Sequence, residues 1–526
     1  MIDRRQFLVA LGAGAVIAAG VAGCSDDSED PDSAGASSAK KRATLPIPTM
    51  PGDPFQLGVA SGDPDASSVV LWTRLAPVPL EGGGMPDQAA PVRWEMSEDE
   101  TFQKLVASGT TVAETRWGHS VHVTATGLEP DSWYSYRFRI GNYTSPVGRT
   151  RTTPTPGSRT DRLLLGFASC QAWETGYYNA YRDLAATELD LVLFLGDYIY
   201  ENGATESGVR KHNSAEITDL AGYRNRYALY KSDPNLQAAH ALCPWVCIWD
   251  DHEVENNYAS EQSEDAAITP EAFAPRRVDA YQAWWEHTPI RLEPPSGQSL
   301  QIYRALRWGD LASIFMTDER QYRSDQACGD KILQLVPACD EINSAGRTLL
   351  GDTQEKWLLD GLDASPAVWR VWGNEVVMTP ITIGRAVLNY DQWDGYPADR
   401  KRILEHVSSK GMTNLVVLTG DIHLGGVGDL TTGEGDSRKI VGTEFVGTSI
   451  SSGGLLPPGA EGLVRSNVPA IKYVNSSQRG WTYCDVTPEK WTTEYRMVEN
   501  NQVDGSPVTV DATFTVSPTT PGAVQV

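Results

Sequence analysis

Histidine is scarce in this 526-residue chain: there are eight, and only His252 and His423 fall just beyond apolar runs of the kind that form buried strands. A zinc cage built from several histidines is therefore disfavoured. Basic residues are also in short supply, 44 Lys+Arg against 68 Asp+Glu, for a formal net charge of -24. Such a balance disfavours broad contact with nucleic-acid phosphates or anionic membranes and attracts cations instead. The apolar run Phe7–Gly23 is short and broken by glycines, which marks it as a targeting segment rather than a structural element.

Two arginines, Arg4 and Arg5, precede that run, as in a twin-arginine export signal. Val21-Ala22-Gly23-Cys24 resembles a lipobox, so residues 1–24 are expected to be a signal that leaves Cys24 lipidated; the alternative is a plain signal peptide with a chance cysteine. Residues 25–52 read as a flexible tether, because SDDSEDPDSAGASSAKK is polar and has nothing to bury. The expected location is extracytoplasmic, with a monomeric body held at the outer face of the cell membrane only by its lipid. Twin-arginine export carries folded chains, which hints at a metal or cofactor inserted beforehand.

Seven cysteines remain few enough to place one by one. Cys328 and Cys339 flank a Gly/Pro-containing loop and read as a local disulfide outside the cytoplasm. Cys243 and Cys247 are spaced as possible neighbours, Cys484 sits in a strand-like run, and Cys170 is left over.

The length argues for two domains or one large enzyme domain with an appendage. Residues 53–153 are short alternating runs separated by turn residues, and TGLEPDSWYSYRF looks like the corner and following strand of a fibronectin type III-like sandwich. His119 and His122 lie there and are expected at the surface. TTPTPGSR, residues 152–159, is a linker. From 160 to 500 apolar strands alternate with amphipathic stretches such as PRRVDAYQAWWEH and TQEKWLLDGLDAS, which predicts a layered α/β domain with its site at the carboxyl ends of the strands. Residues 501–526 form a tail or a lid.

Five of those strand ends finish in metal-donor types: Cys170 after FAS, Asp197 and Tyr200 after FLG, Asp250-Asp251-His252 after CIW, Asp318 after FMT, and Asp421 and His423 after LTG. One acid after a strand usually caps the next helix; five together point to a metal centre. Carboxylates, an amide from Asn256 or Asn257, and a phenolate are hard donors suited to calcium, magnesium, manganese or ferric iron. A thiolate and a phenolate are foreign to structural calcium. The mixed set suggests Fe(III) on Cys170, Asp197, Tyr200 and His423, with Ca(II) on Asp197, Asp251, Asn257 and Asp421.

GDYIYE, WDDHEVENN, TDERQYR, RTLLGDTQEKWL, LTGDIH and EFVGTSISSGG, in this order, resemble the PhoD-type alkaline phosphatase family within the calcineurin-like metallophosphoesterases. The resemblance spans nearly the whole chain after the tether. It implies a four-layer α/β metallophosphoesterase sandwich behind a small all-β domain. It also implies an iron–calcium centre that hydrolyses phosphate monoesters and diesters by a metal-activated hydroxide. Asp197 then bridges the metals, Tyr200 binds iron, Arg320 grips phosphate, Asp318 is a further calcium ligand and His252 protonates the leaving group. Which of Asp251, Asn256 and Asn257 binds metal stays open. Two positions depart from the family pattern: Glu375 stands where Gln is expected, and Glu319 where Thr is more usual. Glu375 either adds charge beside the substrate or points into the core. The alternatives are a phospholipase D or teichoic-acid phosphodiesterase and, in another class, a non-enzymatic lipoprotein that binds surfaces through calcium.

Overall fold

Runs of four to six apolar residues bounded by Gly, Ser or Asp are too short for helices and form strands covered on both faces. In the computed structural model, which describes residues 45–329, 332–344, 346–383, 386–433, 435–456 and 459–526, all six such runs are strands. The twin-arginine segment and Cys24 lie outside the described residues. Leu163–Ala168, Leu191–Leu195 and Trp245–Ile248 pair in parallel within a ten-stranded sheet. Ala312–Met316, Trp369–Asn374, Leu415–Thr419 and Lys439–Val446 pair in parallel within a seven-stranded one.

The period-2 alternation of strands decides how the layers stack. Ile314, Val371 and Val416 face inward and share one core with Leu165, Leu193 and Ile248 of the first sheet. Their chain neighbours Phe315, Trp372 and Val417 face outward, onto Leu358, Leu362 and Ile403 of the helices Gly351–Ala364 and Pro397–Ser409. Helices Asn179–Ala185, Pro234–Leu242 and Pro270–His287 join the core of the first sheet through Tyr181, Leu236 and Trp284. Local signals start these helices: Thr269 accepts from the Ala272 amide and Pro270 follows it, and Asp233 does the same ahead of Pro234. The result is helix, sheet, sheet, helix, with the carboxyl ends of both parallel sets at one edge.

The N-terminal segment has the expected sandwich core, with Tyr134 accepting a hydrogen bond from the Glu129 amide at 2.9 Å at its corner. Its boundary is less clean than the linker suggests. Strand Val59–Gly62 pairs with Trp245 of the catalytic strand, and Ser68–Arg74 and Ser120–Thr126 continue outward from it, so one sheet runs through both regions. His119 is consequently buried and His122 half-buried beneath the catalytic region, so neither is a freely exposed surface residue. His119 bonds the Gln88 carbonyl, and His122 bonds that of Thr288 while stacking on Trp285; burial pushes the His122 imidazole down to about 4.

The C-terminal residues are a correction as well. Strands Val508–Ser517 and Thr520–Gln525 are hydrogen-bonded in sequence onto Trp491–Val498 and finish the edge of the ten-stranded sheet, so this segment is neither a frayed tail nor a lid. Cys328 and Cys339 are bridged, while Cys170, Cys243, Cys247 and Cys484 are buried free thiols.

Candidate active site

The turn after Leu191–Leu195 sets the centre. Gly196 has φ +101°, and a Cβ there would lie 2.4 Å from the Asp250 Cβ and 2.8 Å from its amide nitrogen. Only glycine lets the two strand ends close on each other. Gly196→Ala is therefore expected to lower stability by roughly 2–4 kcal/mol, from overpacking plus backbone strain. Thermal melts with and without metal check it, and an unchanged midpoint would contradict the close approach.

Five predicted donors, Cys170, Asp197, Asn257, Asp421 and His423, have φ between 52° and 65°, the left-handed region that non-glycine residues seldom occupy. Strain of about 1–3 kcal/mol per residue concentrated on one set of side chains marks a functional site. Glu253 holds the frame: its carboxylate accepts the amides of Asp197 (3.1 Å), Tyr198 and Asp250 (2.8 Å), tying two strand ends together. Burial, and then the Asp197 charge, push the Glu253 carboxyl up to about 8.

Three donor groups converge. Cys170, Asp197 and His423 form one, Asp197, Asp251 and His252 a second, and Asp250, Asp251 and Asp421 a third, each with its ligand atoms within 4.8 Å of one another. Tyr200 closes the first, with its hydroxyl 2.7 Å from Asp197 Oδ2 and 3.1 Å from His423 Nε2. His423 Nδ1 lies 2.7 Å from the Gly453 carbonyl, which can only accept. The proton is therefore fixed on Nδ1, and the Nε2 lone pair is free to ligate.

Oxygen Oδ1 of Asp197, Oδ2 of Asp250 and Oδ1 of Asp251 are buried with no hydrogen-bond donor. Leaving such acceptors unmatched is costly, and bound cations are what would match them. Burial, reinforced by Asp391 and Asp251, pushes the Asp421 carboxyl up to about 7; burial and Asp197 push the Cys170 thiol and Tyr200 phenol well above their usual ranges. The residues thus fit a multinuclear centre.

Of the three alternatives for the amide or acid ligand, Asp251 and Asn257 are at the centre. The Asn257 amide donates to Asp251 Oδ2 at 2.7 Å and its side-chain nitrogen is buried without a partner, whereas the Asn256 side chain turns away to Glu264. His252 is held by Glu201, 2.7 Å from Nδ1, and stacks near Tyr200 at 4.1 Å between ring centroids. Burial alone would lower its pKa, but Glu201, Asp251 and Asp197 outweigh that and raise it well above the usual imidazole range.

Two expectations fail on geometry. Arg320 is fully buried and its guanidinium is spent on carboxylates: Nε on Asp250, and Nη1 and Nη2 on Asp391 at 2.9 Å each. A fork already paired bidentately has no face left for a phosphate. Asp318 is turned into its own loop, accepting from the amides of Arg320 and Gln321 at 3.1 and 3.0 Å and from the Trp249 indole, and it joins no donor group.

Sequence reasoning passed over several contributors. Asp250 stood in the quoted strand end beside Asp251 without being assigned a role. Asp391 and Gln392, the latter donating to Asp421 at 2.8 Å, follow the short strand Ala386–Asn389. Ser452 lies in the SISSGG stretch, with its hydroxyl oxygen 2.7 Å from the Tyr200 hydroxyl.

The two departures from the family pattern meet in space. Glu375 is fully buried, so of its two readings the core one holds. Its carboxyl accepts the Glu319 amide at 2.6 Å, while the Glu319 carboxyl accepts the Glu375 and Val376 amides at 3.1 and 2.9 Å. Burial raises both, Glu319 to about 8. A carboxyl raised on folding stabilises fully below its ordinary range and loses that contribution as pH rises toward the folded value. Glu375→Gln is thus expected to gain stability relative to wild type progressively as pH rises above the ordinary carboxylate range, on the order of 1–3 kcal/mol. Melting curves at pH 5 and pH 9 check it, and an equal difference at both would sink it.

A pair of facing parallel sheets with carboxylate, thiol, phenol and imidazole donors on one edge defines a phosphoesterase site, and the chain belongs to the PhoD-like phosphatase family. The family's model matches residues 165–495, and that of its N-terminal domain residues 40–154. Alkaline phosphatase D of Bacillus subtilis (strain 168) is 48% identical over 483 residues, covering 89% of this chain and 81% of that protein. The solved structure of PhoD superposes with a TM-score of 0.88 at 46% identity, covering 91% of this chain and 93% of that one. The protein is accordingly a phosphoesterase hydrolase, and the non-enzymatic reading is set aside.

Proposed function

We propose that the protein is an exported phosphatase that hydrolyses phosphate monoesters and diesters at a centre of Fe(III) and Ca(II). The observation that carries this reading is the asymmetry of the donors. The Cys170 thiol, Tyr200 phenol and His423 imidazole gather on one side with Asp197, and the carboxylates of Asp250, Asp251 and Asp421 gather on the other. There His252, beside Asp251, is the one nitrogen donor among the described residues, and Asn257 is tied to Asp251 through its backbone amide. A soft-and-phenolic set suits ferric iron and a carboxylate-rich set suits calcium. When bound, the ions supply Lewis acidity toward water and neutralise phosphate oxygens.

The chain's own residues do the rest. Asp197 belongs to both sides and fixes their spacing. Protonated His252, oriented by Glu201, delivers a proton to the leaving alkoxide. With Arg320 committed to Asp250 and Asp391, the side chain acts by aiming those carboxylates and not by touching substrate. Arg4, Arg5 and Cys24 support export by the twin-arginine route and lipid anchoring outside the cytoplasm.

Side-by-side turnover of p-nitrophenyl phosphate, bis(p-nitrophenyl) phosphate and phosphatidylcholine vesicles tests the substrate class. Hydrolysis of the first two, lost with a chelator and regained with calcium, is expected. Turnover of the vesicles alone would replace this reading with the phospholipase one.

A further inference from the structure

Arg479, at the start of the strand Arg479–Val486, is 4% exposed, yet among the described residues it makes no ion pair with any carboxylate. Its hydrogen bonds go to neutral oxygens. Nη1 donates to the carbonyls of His423 at 2.7 Å and Ser452 at 3.1 Å and to the Ser449 hydroxyl at 3.4 Å, and Nη2 donates to the Ser476 carbonyl. A buried guanidinium without a counter-charge is expensive and persists where it serves a purpose.

The partners reveal the purpose. His423 is one of the residues held in the left-handed region, at φ 55°, and Arg479 pins its carbonyl while Gly453 pins its ring. Ser452, held by its own carbonyl to the same guanidinium, donates its hydroxyl proton to the Cys170 carbonyl at 2.7 Å, and its oxygen lies 2.7 Å from the Tyr200 hydroxyl. One arginine therefore reaches three donors of the thiol–phenol–imidazole side, His423 directly and Cys170 and Tyr200 through Ser452. Burial pulls the guanidinium down to about 10, and Cys170 is the group that offsets it.

We propose that Arg479 is a positioning residue for the iron-side donors, a buried cation that holds the His423 backbone and the Ser452 loop on which those donors rest. The proposal rests on the reading that Cys170, Tyr200 and His423 hold Fe(III). Arg479 touches neither substrate nor the reacting atoms. It fixes the loop 449–453 and the His423 backbone so that the three donors converge.

The test uses the full chain purified through its own export route, as wild type, Arg479→Lys and Arg479→Gln. Iron and calcium are measured per chain, with the visible absorption of the iron–phenolate and iron–thiolate chromophore. The rates kcat and KM are measured with p-nitrophenyl phosphate. In Arg479→Gln, iron affinity is expected to fall about 10–100-fold, as for other groups that orient metal ligands, with calcium much less affected. Arg479→Lys keeps the charge but cannot span the carbonyls of His423, Ser452 and Ser476 together. It is expected to retain more iron than the Gln variant, to shift the visible band, and to lower kcat about tenfold with little change in KM. Should Arg479→Gln fail to fold, the Lys variant carries the test. A Lys variant with wild-type iron content, an unshifted band and an unchanged kcat overturns the proposal alone. A wild-type protein that carries no iron overturns the underlying metal reading instead.

Discussion

Asp197→Asn is expected to lower kcat/KM for a phosphate ester by at least about 10³-fold, roughly 4 kcal/mol of transition-state stabilisation. The magnitude follows from its position in both the thiol-side and the oxygen-side donor groups, with Oδ2 at the Tyr200 hydroxyl and Oδ1 buried without a partner. An amide is nearly the same shape but carries no charge and a weaker donor oxygen, so both sides lose affinity together. The folded chain itself should not suffer. Asp250, Asp251, Glu253 and Asp421 crowd the same edge, and removing one carboxylate relieves repulsion. Melting without metal is therefore expected at or above the wild-type temperature, while the gain on adding metal disappears. Retained turnover would remove Asp197 from the centre; a collapse of the metal-free fold would mean that its role is structural.

The second large effect is on Arg320→Ala, and here stability is the informative quantity. Removing the guanidinium leaves Asp250 buried and unpaired and Asp391 with Arg323 and Gln326 alone, which is expected to cost roughly 3–5 kcal/mol. Activity should fall with it, because Asp250 and Asp251 lose the group that aims them; Asp251 Oδ1 lies 3.7 Å from Nη2. A residue that gripped phosphate from an open cleft would behave differently, raising KM and weakening phosphate inhibition while leaving the melting temperature in place. Denaturant titration beside steady-state kinetics separates the two.

The contrast between Asp197 and Arg320 shows what was legible in the sequence. The strand ends were, because short apolar runs closed by Gly-Asp or Trp-Asp-Asp can only be buried strands that deliver acids to a common edge. Six of the predicted donors, Cys170, Asp197, Tyr200, Asp251, Asp421 and His423, occupy that edge for this reason. Which way each side chain points was not legible. Asp250 and Asp251 are adjacent, yet one orients Arg320 and the other receives the Asn257 amide, and that choice is set by a turn whose φ and ψ no periodicity encodes. Asp318 stands at a strand end as Asp197 does, but its loop offers two amides and an indole that its carboxylate satisfies locally. Asp391 and Gln392 follow the strand Ala386–Asn389, whose apolar run of only three residues is shorter than those that mark the other strand ends. The N-terminal boundary failed similarly: TTPTPGSR reads as a linker, but sheet continuity is decided by pairing between Gly62 and Trp245, 183 positions apart in the chain. Glu319 and Glu375 were each noticed as departures, and only the fold shows that they answer each other.

The central claim is that two chemically distinct ion sites share Asp197. Elemental analysis together with visible absorption, on wild-type protein purified through its native export route, tests it most directly. The account predicts iron and calcium in the same molecule and a visible band that Tyr200→Phe alters. Colourless protein that carries zinc or calcium alone and is fully active would contradict it.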